Sequence, residues 1–164
     1  MVDAYISIGS NINPNDNIAE CLKLLKLEFS IIKVSNYYET KPYGYDDQEN
    51  FINLAVKIKT ELKPYALLKK LQEIERKLNR ERKIKNGPRT MDLDVLLYGD
   101  NVIKDKKLHI PHKGLFERDF MLIPLLDIAP DIIDPITNKK AKYFIKDIKH
   151  KRIIKTRKLS NKNN

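Results

Sequence analysis

Asp92 and Asp94 stand two apart in the run Met91-Asp92-Leu93-Asp94-Val95-Leu96-Leu97. That run reads as a strand, so both carboxylates project from one face, roughly 6.5–7 Å apart along the chain. Burying two carboxylates together without a counterion is costly, so the pair asks for a cation. Hard oxygen donors with no His or Cys among them suit Mg²⁺, which takes one or two carboxylates and completes its shell with water and phosphate. Just upstream, Arg76, Lys77, Arg80, Arg82, Lys83, Lys85 and Arg89 face only Glu81. Of these, Arg80, Arg82, Lys85 and Arg89 could grip phosphate oxygens, the arginines by bidentate hydrogen bonds. Carboxylates, metal and arginines together describe phosphoryl-type transfer. Catalysis there is positioning plus neutralisation of oxygens that gain charge, so no nucleophilic side chain is required, and none is evident.

The elements that must carry these residues alternate along the chain. Residues 5–8 read as a strand ending in Gly9-Ser10-Asn11, a plain strand-to-helix turn that lacks the spacing of a phosphate-cradling loop. Asn13-Pro14 supplies an N-cap and a proline preset for a helix over 14–29, with Ile18, Cys21, Leu22, Leu25 and Phe29 at helical spacing. A β-branched and aromatic stretch over 31–38 reads as one strand, followed by a polar loop to Asn50. From 51 to 59, Ile52, Leu54, Val56 and Ile58 point one way and Phe51, Asn53, Ala55 and Lys57 the other, so one face is core and the other available. Pro64 opens a helix striped by Leu67, Leu68, Leu71, Ile74 and Leu78, with Gln72 and Glu75 on a neighbouring face. The aspartate strand follows, and residues 116–126 suggest a last helix around Pro124. The order β-α-β-β-α-β predicts a ferredoxin-like α+β sandwich: a mainly antiparallel sheet with helices packed on one face.

With 164 residues, 41% hydrophobic and 33% charged, the chain excludes collagen-like, low-complexity and wholly disordered classes. It reads as a single domain over 1–150 with a basic, flexible tail over 151–164. No stretch approaches the ~20 apolar residues of a membrane helix. Cys21 alone, and a start without a basic or apolar leader, point to the cytoplasm. The net charge of +10 is mostly tail: residues 1–130 hold 21 Lys+Arg against 19 Asp+Glu, and 131–164 hold 11 against 3.

The stretch Asn86-Gly87-Pro88-Arg89-Thr90-Met91-Asp92-Leu93-Asp94-Val95-Leu96 resembles the signature of the 6-hydroxymethyl-7,8-dihydropterin pyrophosphokinase family. The segments 5–11, 48–53, 110–112 and 118–125 resemble further family blocks in the same order, so the resemblance covers about residues 3–130. It implies transfer of pyrophosphate from ATP to a pterin alcohol in folate synthesis. Asp92 and Asp94 would hold two Mg²⁺ ions, and Arg80 and Arg89 would be catalytic arginines on loops that close over ATP. On the pterin side the resemblance places Asn53 at the ring edge and Phe51 and Phe120 on its faces, with Thr40, Lys41, Tyr43 and Asn86 completing the pocket. On the nucleotide side it places Gln72, Glu75, Arg82, Val95, Lys107, His109, His112 and Arg118. The chain departs from the family pattern at Lys85-Asn86, where many members have Arg-Trp, and at Lys107, His109 and Lys113.

Plainer readings stand beside these. By periodicity alone Phe51 and Phe120 read as core, and His109 and His112, with no Cys in reach, fall short of a zinc site. A homologue that binds ATP or pterin without turnover is the alternative within the family. A basic RNA-binding module shares the element order, but paired acids would stand where such domains stack bases. The partners expected are therefore the two small substrates, with no nucleic acid, no membrane and no second protomer.

Overall fold

The alternation over 51–58 is used on both faces of one sheet. The computed structural model describes residues 1–79 and 85–158. Its first half runs β1 (Val2–Ser10), α1 (Pro14–Glu28), β2 (Ser30–Val34), β3 (Tyr37–Thr40), β4 (Phe51–Thr60) and α2 (Pro64–Lys77). The second half runs β5 (Asp92–Tyr98), β6 (Ile103–Lys104), β7 (His109–Ile110), α3 (Asp119–Ile128), a 3₁₀ turn (Ala141–Asp147) and β8 (Ile153–Arg157). The main sheet is ordered β5-β1-β4-β3-β8, with β2 also on β4, and every ladder is antiparallel. With the two crossover helices this is the ferredoxin-like arrangement.

The strand expected over 31–38 is two strands. β2 pairs with the 56–59 half of β4 and β3 with its 51–53 half. Between them the Ser35 amide donates to the Ala55 carbonyl at 2.9 Å, while the Ser35 hydroxyl accepts the Ala55 amide at 2.8 Å. A side-chain oxygen thus replaces a backbone carbonyl, which lets the chain bend without leaving a buried donor unsatisfied. Asn13 occupies the N-cap position of α1 in a left-handed conformation, but its side chain makes no capping bond, and Pro14 alone plays the expected part.

Two apolar clusters flank the sheet. Ile6, Ile8, Leu54, Val56 and Ile58 meet Ile18, Cys21 and Leu25 of α1 and Leu67, Leu71 and Ile74 of α2. Each such side chain contributes about 1.5–3 kcal/mol on full burial. On the opposite face Tyr5, Ala55 and Leu97 lie beneath Phe120, Met121 and Leu125 of α3. Besides the two helices on one face, a third therefore covers part of the other, and β4 lends Phe51 and Asn53 to a pocket beside it. Pro124 sits inside α3 at the expense of one helical bond.

The basic tail expected over 151–164 is in part a strand. β8 adds to the sheet edge along β3, and Asp119 receives the backbone amides of Arg152 and Ile153 at 2.9–3.0 Å. Two amides on one buried carboxylate anchor that segment to the first turn of α3. Residues 159–164 lie outside the described residues. Among the described residues no helix is long and apolar enough to cross a membrane.

Candidate active site

The strand register sets the site. Gly9 of β1 lies opposite Asn53 on β4 and Asp92 on β5, and Ser7 lies opposite Ala55 and Asp94. Directly opposed residues share a face, so the amide and both carboxylates project on the side that α3 only partly covers. A Cβ on Gly9 would sit 2.6 Å from Asn53 Oδ1, so the glycine is needed for space and not only as a turn. The Asn53 amide donates to Thr40 Oγ1 at 2.7 Å, which fixes its orientation across β3 and β4.

Asp92 and Asp94 are about a third exposed, and each has a basic neighbour. Arg89 Nη1 is 3.5 Å from Asp92, and His112 Nε2 is 3.8 Å from Asp94. A bulge in β5 places the second of these. The register skips Leu96, whose carbonyl accepts the His112 amide at 3.0 Å and draws the segment after β7 towards Asp94. Among the described residues no group of three or more His, Cys, Asp or Glu gathers round a common point. The two carboxylates are thus a pair of oxygen donors with room for ligands from elsewhere, which is a donor set suited to Mg²⁺.

His112 Nδ1 accepts the Gly114 amide at 3.0 Å, so in the neutral ring the proton is on Nε2, facing Asp94. Burial first, then the Arg118 charge, push its pKa down to about 4, against the opposing pull of Asp92. The folded value lies below the ordinary 6.5, so the unfolded chain takes up a proton first as pH falls, and stability is lost from about pH 6.5 towards pH 4. The loss expected is about 3 kcal/mol. Urea unfolding of chelator-treated protein should show it between pH 7 and 4.5, and His112→Gln should flatten it. An equal pH slope in the variant would refute the assignment.

Asn11 and Gln48 were missed as site residues. Asn11 Oδ1 accepts the Arg89 amide at 2.9 Å, and its Nδ2 donates to Gln48 Oε1 at 2.8 Å and the Glu49 carbonyl at 3.0 Å. Gln48 Nε2 donates in turn to the carbonyls of Tyr45 and Asn86, both at 2.7 Å. Two carboxamides therefore tie the 41–50 loop to the 85–90 loop. The available signal was a long-side-chain amide in an otherwise acidic loop and an asparagine ending an apolar strand.

Two cavities meet at the aspartates. A cleft of about 560 Å³ is lined by Lys85, Lys106, Lys107, His109, His112 and Lys113, with Val95 among others. A pocket of about 60 Å³ is lined by Thr40, Lys41, Tyr43, Phe51, Asn53 and Phe120. Asn86, Arg89, Asp92, Asp94 and Arg118 line both. Arg118 lies over the Tyr43 ring at 4.2 Å, and Arg89 over the Phe51 ring at 4.6 Å. His109 Nδ1 donates to the Pro111 carbonyl at 2.8 Å, which leaves its other nitrogen for the cleft.

The two α2 residues expected at the nucleotide are not brought together. Gln72 is exposed and lines neither cavity. Glu75 is buried, and its Oε2 accepts the Leu93 amide at 3.0 Å. β5 is a sheet edge, so this carboxylate caps an edge amide between the two aspartates and helps to position them. Burial, then the nearby Glu75 charge, also push the Cys21 thiol up to about 12. Asn86 takes φ 59, packs against Gly44 and offers its carbonyl to Gln48, so it joins its loop to the 41–50 loop. Arg80 and Arg82 lie outside the described residues.

A ferredoxin-like sandwich with paired carboxylates between a basic cleft and an aromatic pocket has the make-up of a two-substrate, phosphate-transferring enzyme. The sequence profile of 7,8-dihydro-6-hydroxymethylpterin-pyrophosphokinase matches residues 5–130, and the chain belongs to that family. It is 44% identical over 147 residues to the 2-amino-4-hydroxy-6-hydroxymethyldihydropteridine pyrophosphokinase of Aquifex aeolicus, covering 88% of this chain and 91% of that one. It is 41% identical over 138 residues to the enzyme of the same name from Haemophilus influenzae, covering 82% and 86%. Among solved structures, wild-type Plasmodium falciparum HPPK-DHPS is similar in fold, with a TM-score of 0.66 at 18% identity. That alignment covers 90% of this chain and only 43% of the other. Family and named relatives support pyrophosphoryl transfer from ATP to hydroxymethyldihydropterin in folate biosynthesis.

Proposed function

We propose that the chain performs this transfer with ATP in the basic cleft, the pterin in the aromatic pocket and Mg²⁺ held by Asp92 and Asp94. The observation that carries the reading is that the carboxylates belong to both cavities at once, where a phosphate chain and a hydroxymethyl group would meet. The pterin oxygen attacks the β-phosphorus of ATP in line. The new O–P bond forms as the bond to the α-phosphate oxygen breaks, AMP leaves, and the hydroxymethyl proton passes to water. Bound Mg²⁺ would supply the charge that offsets the crowded phosphate oxygens.

This chain's own groups do the rest. Lys107, Lys113 and Arg118 hold negative charge in the cleft, and neutral His112 offers an Nε2 hydrogen beside Asp94. Asn53, fixed by Thr40, presents its carbonyl oxygen to the pterin edge. Arg89 covers the face of Phe51 on which a pterin ring would stack. Pterin entry therefore displaces the guanidinium, and the cleft that Arg89 also lines is where it goes, onto the phosphates. Binding of one substrate in this way readies a charge for the other.

Protein stripped with a chelator should not turn over ATP and pterin until Mg²⁺ is restored, and Asp92→Asn/Asp94→Asn should stay inactive at any Mg²⁺ concentration. Turnover in excess chelator would contradict the proposal.

A further inference from the structure

We infer that the segment 149–153 buttresses the pterin pocket from behind its lining residues, and that His150 is a positioning residue for Tyr43. This rests on the assignment of the small cavity to the pterin. The segment is strapped to both strips of chain that line that cavity. On the α3 side, the Glu117 carbonyl accepts the amides of Lys149 and His150 at 3.0 and 2.9 Å, and the Asp119 amide donates to the His150 carbonyl at 3.1 Å. The Asp119 carboxylate, itself buried, takes the Arg152 and Ile153 amides. On the other side, the Lys41 amide donates to the Arg152 carbonyl at 2.8 Å, continuing the β3–β8 ladder up to the pocket.

Between these two strips the His150 ring meets Tyr43 edge-on, with centroids 5.0 Å apart at 72°. Tyr43 also carries the Arg118 guanidinium at 4.2 Å and faces Phe120 at 6.0 Å. Tyr43 stands on a polar loop after β3, where no helix or strand fixes its rotamer. An edge-to-face ring and a cation on the same phenol restrict it to one orientation, and that orientation forms one side of the cavity. His150 itself does not line the cavity, so it acts through Tyr43 and not on the substrate. The preset Tyr43 ring lowers the ordering cost of binding the pterin, while the lysines of the nucleotide cleft lie away from it.

Titration calorimetry of 6-hydroxymethyl-7,8-dihydropterin and of a non-transferable ATP analogue into full-length protein tests this. His150→Ala should weaken pterin binding about fivefold to tenfold, with ATP-analogue affinity within twofold and the melting temperature unchanged. His150→Phe, which keeps a ring against Tyr43, should restore the pterin affinity. Asn53→Ala serves as the control for the pocket. Unchanged pterin affinity in His150→Ala, with loss in Asn53→Ala, would overturn the inference and leave the pocket assignment standing. Unchanged affinity in both would overturn the pocket assignment and the inference with it. Equal losses for both ligands, or no rescue by His150→Phe, would reduce His150 to a stability role and also overturn the inference.

Discussion

Asp94→Ala should lower steady-state turnover by on the order of a thousandfold, even at saturating Mg²⁺, while pterin affinity changes little. The expected size follows from the several kcal/mol that a metal contributes by offsetting charge in phosphate transfer, each 1.4 kcal/mol being tenfold. No third His, Cys, Asp or Glu joins the two carboxylates in a ligand group among the described residues, so the loss of Asp94 leaves Asp92, which is already 3.5 Å from Arg89. In the proposed reading pterin recognition stands on Asn53, Phe51 and Phe120, which belong to β4 and α3 and not to the aspartate strand. An unaltered rate in saturating Mg²⁺ would refute the metal assignment.

Arg89→Ala should slow the catalytic step by about 10³-fold or more, the range seen when an arginine acts on the charge of a phosphoryl transition state. ATP affinity should fall far less, since several lysines and Arg118 remain in the cleft. In this fold the variant carries a second signature. Removing the guanidinium uncovers the face of Phe51, so pterin binding to the free protein should not weaken. Arg89→Lys should recover little, because an ammonium cannot make the bidentate contact. Single-turnover rates equal to those of the unchanged protein would contradict this role, and a large loss of pterin affinity would contradict the displacement of Arg89 from Phe51.

The features legible in the sequence are those set by period and by charge chemistry. Alternation over 51–58 and the helical stripes of 14–29 and 64–78 are enough for the element order and the shared face of Asp92 and Asp94. What escaped depends on contacts between distant residues. The break at Ser35 works because its hydroxyl meets Ala55, twenty residues on. The tail is basic and polar, and only the buried Asp119 carboxylate, waiting for its amides, turns 153–157 into an edge strand. Spacing places Glu75 beside Gln72 on the helix, but the offset of about 60° between residues three apart is enough to send one to the buried edge of β5 and the other to solvent. Asn11 and Gln48 carry no periodic signal, since their role is to join two loops whose approach only the closed sheet creates.

The central claim is that the carboxylate pair serves one reaction between two cavities. The most direct test is ³¹P NMR of the products formed from ATP, Mg²⁺ and 6-hydroxymethyl-7,8-dihydropterin, with Asp92→Ala/Asp94→Ala run in parallel. AMP and a pterin diphosphate from the unchanged protein, and neither from the variant, is the result expected. ADP with a pterin monophosphate, or equal product from the variant, would contradict the claim.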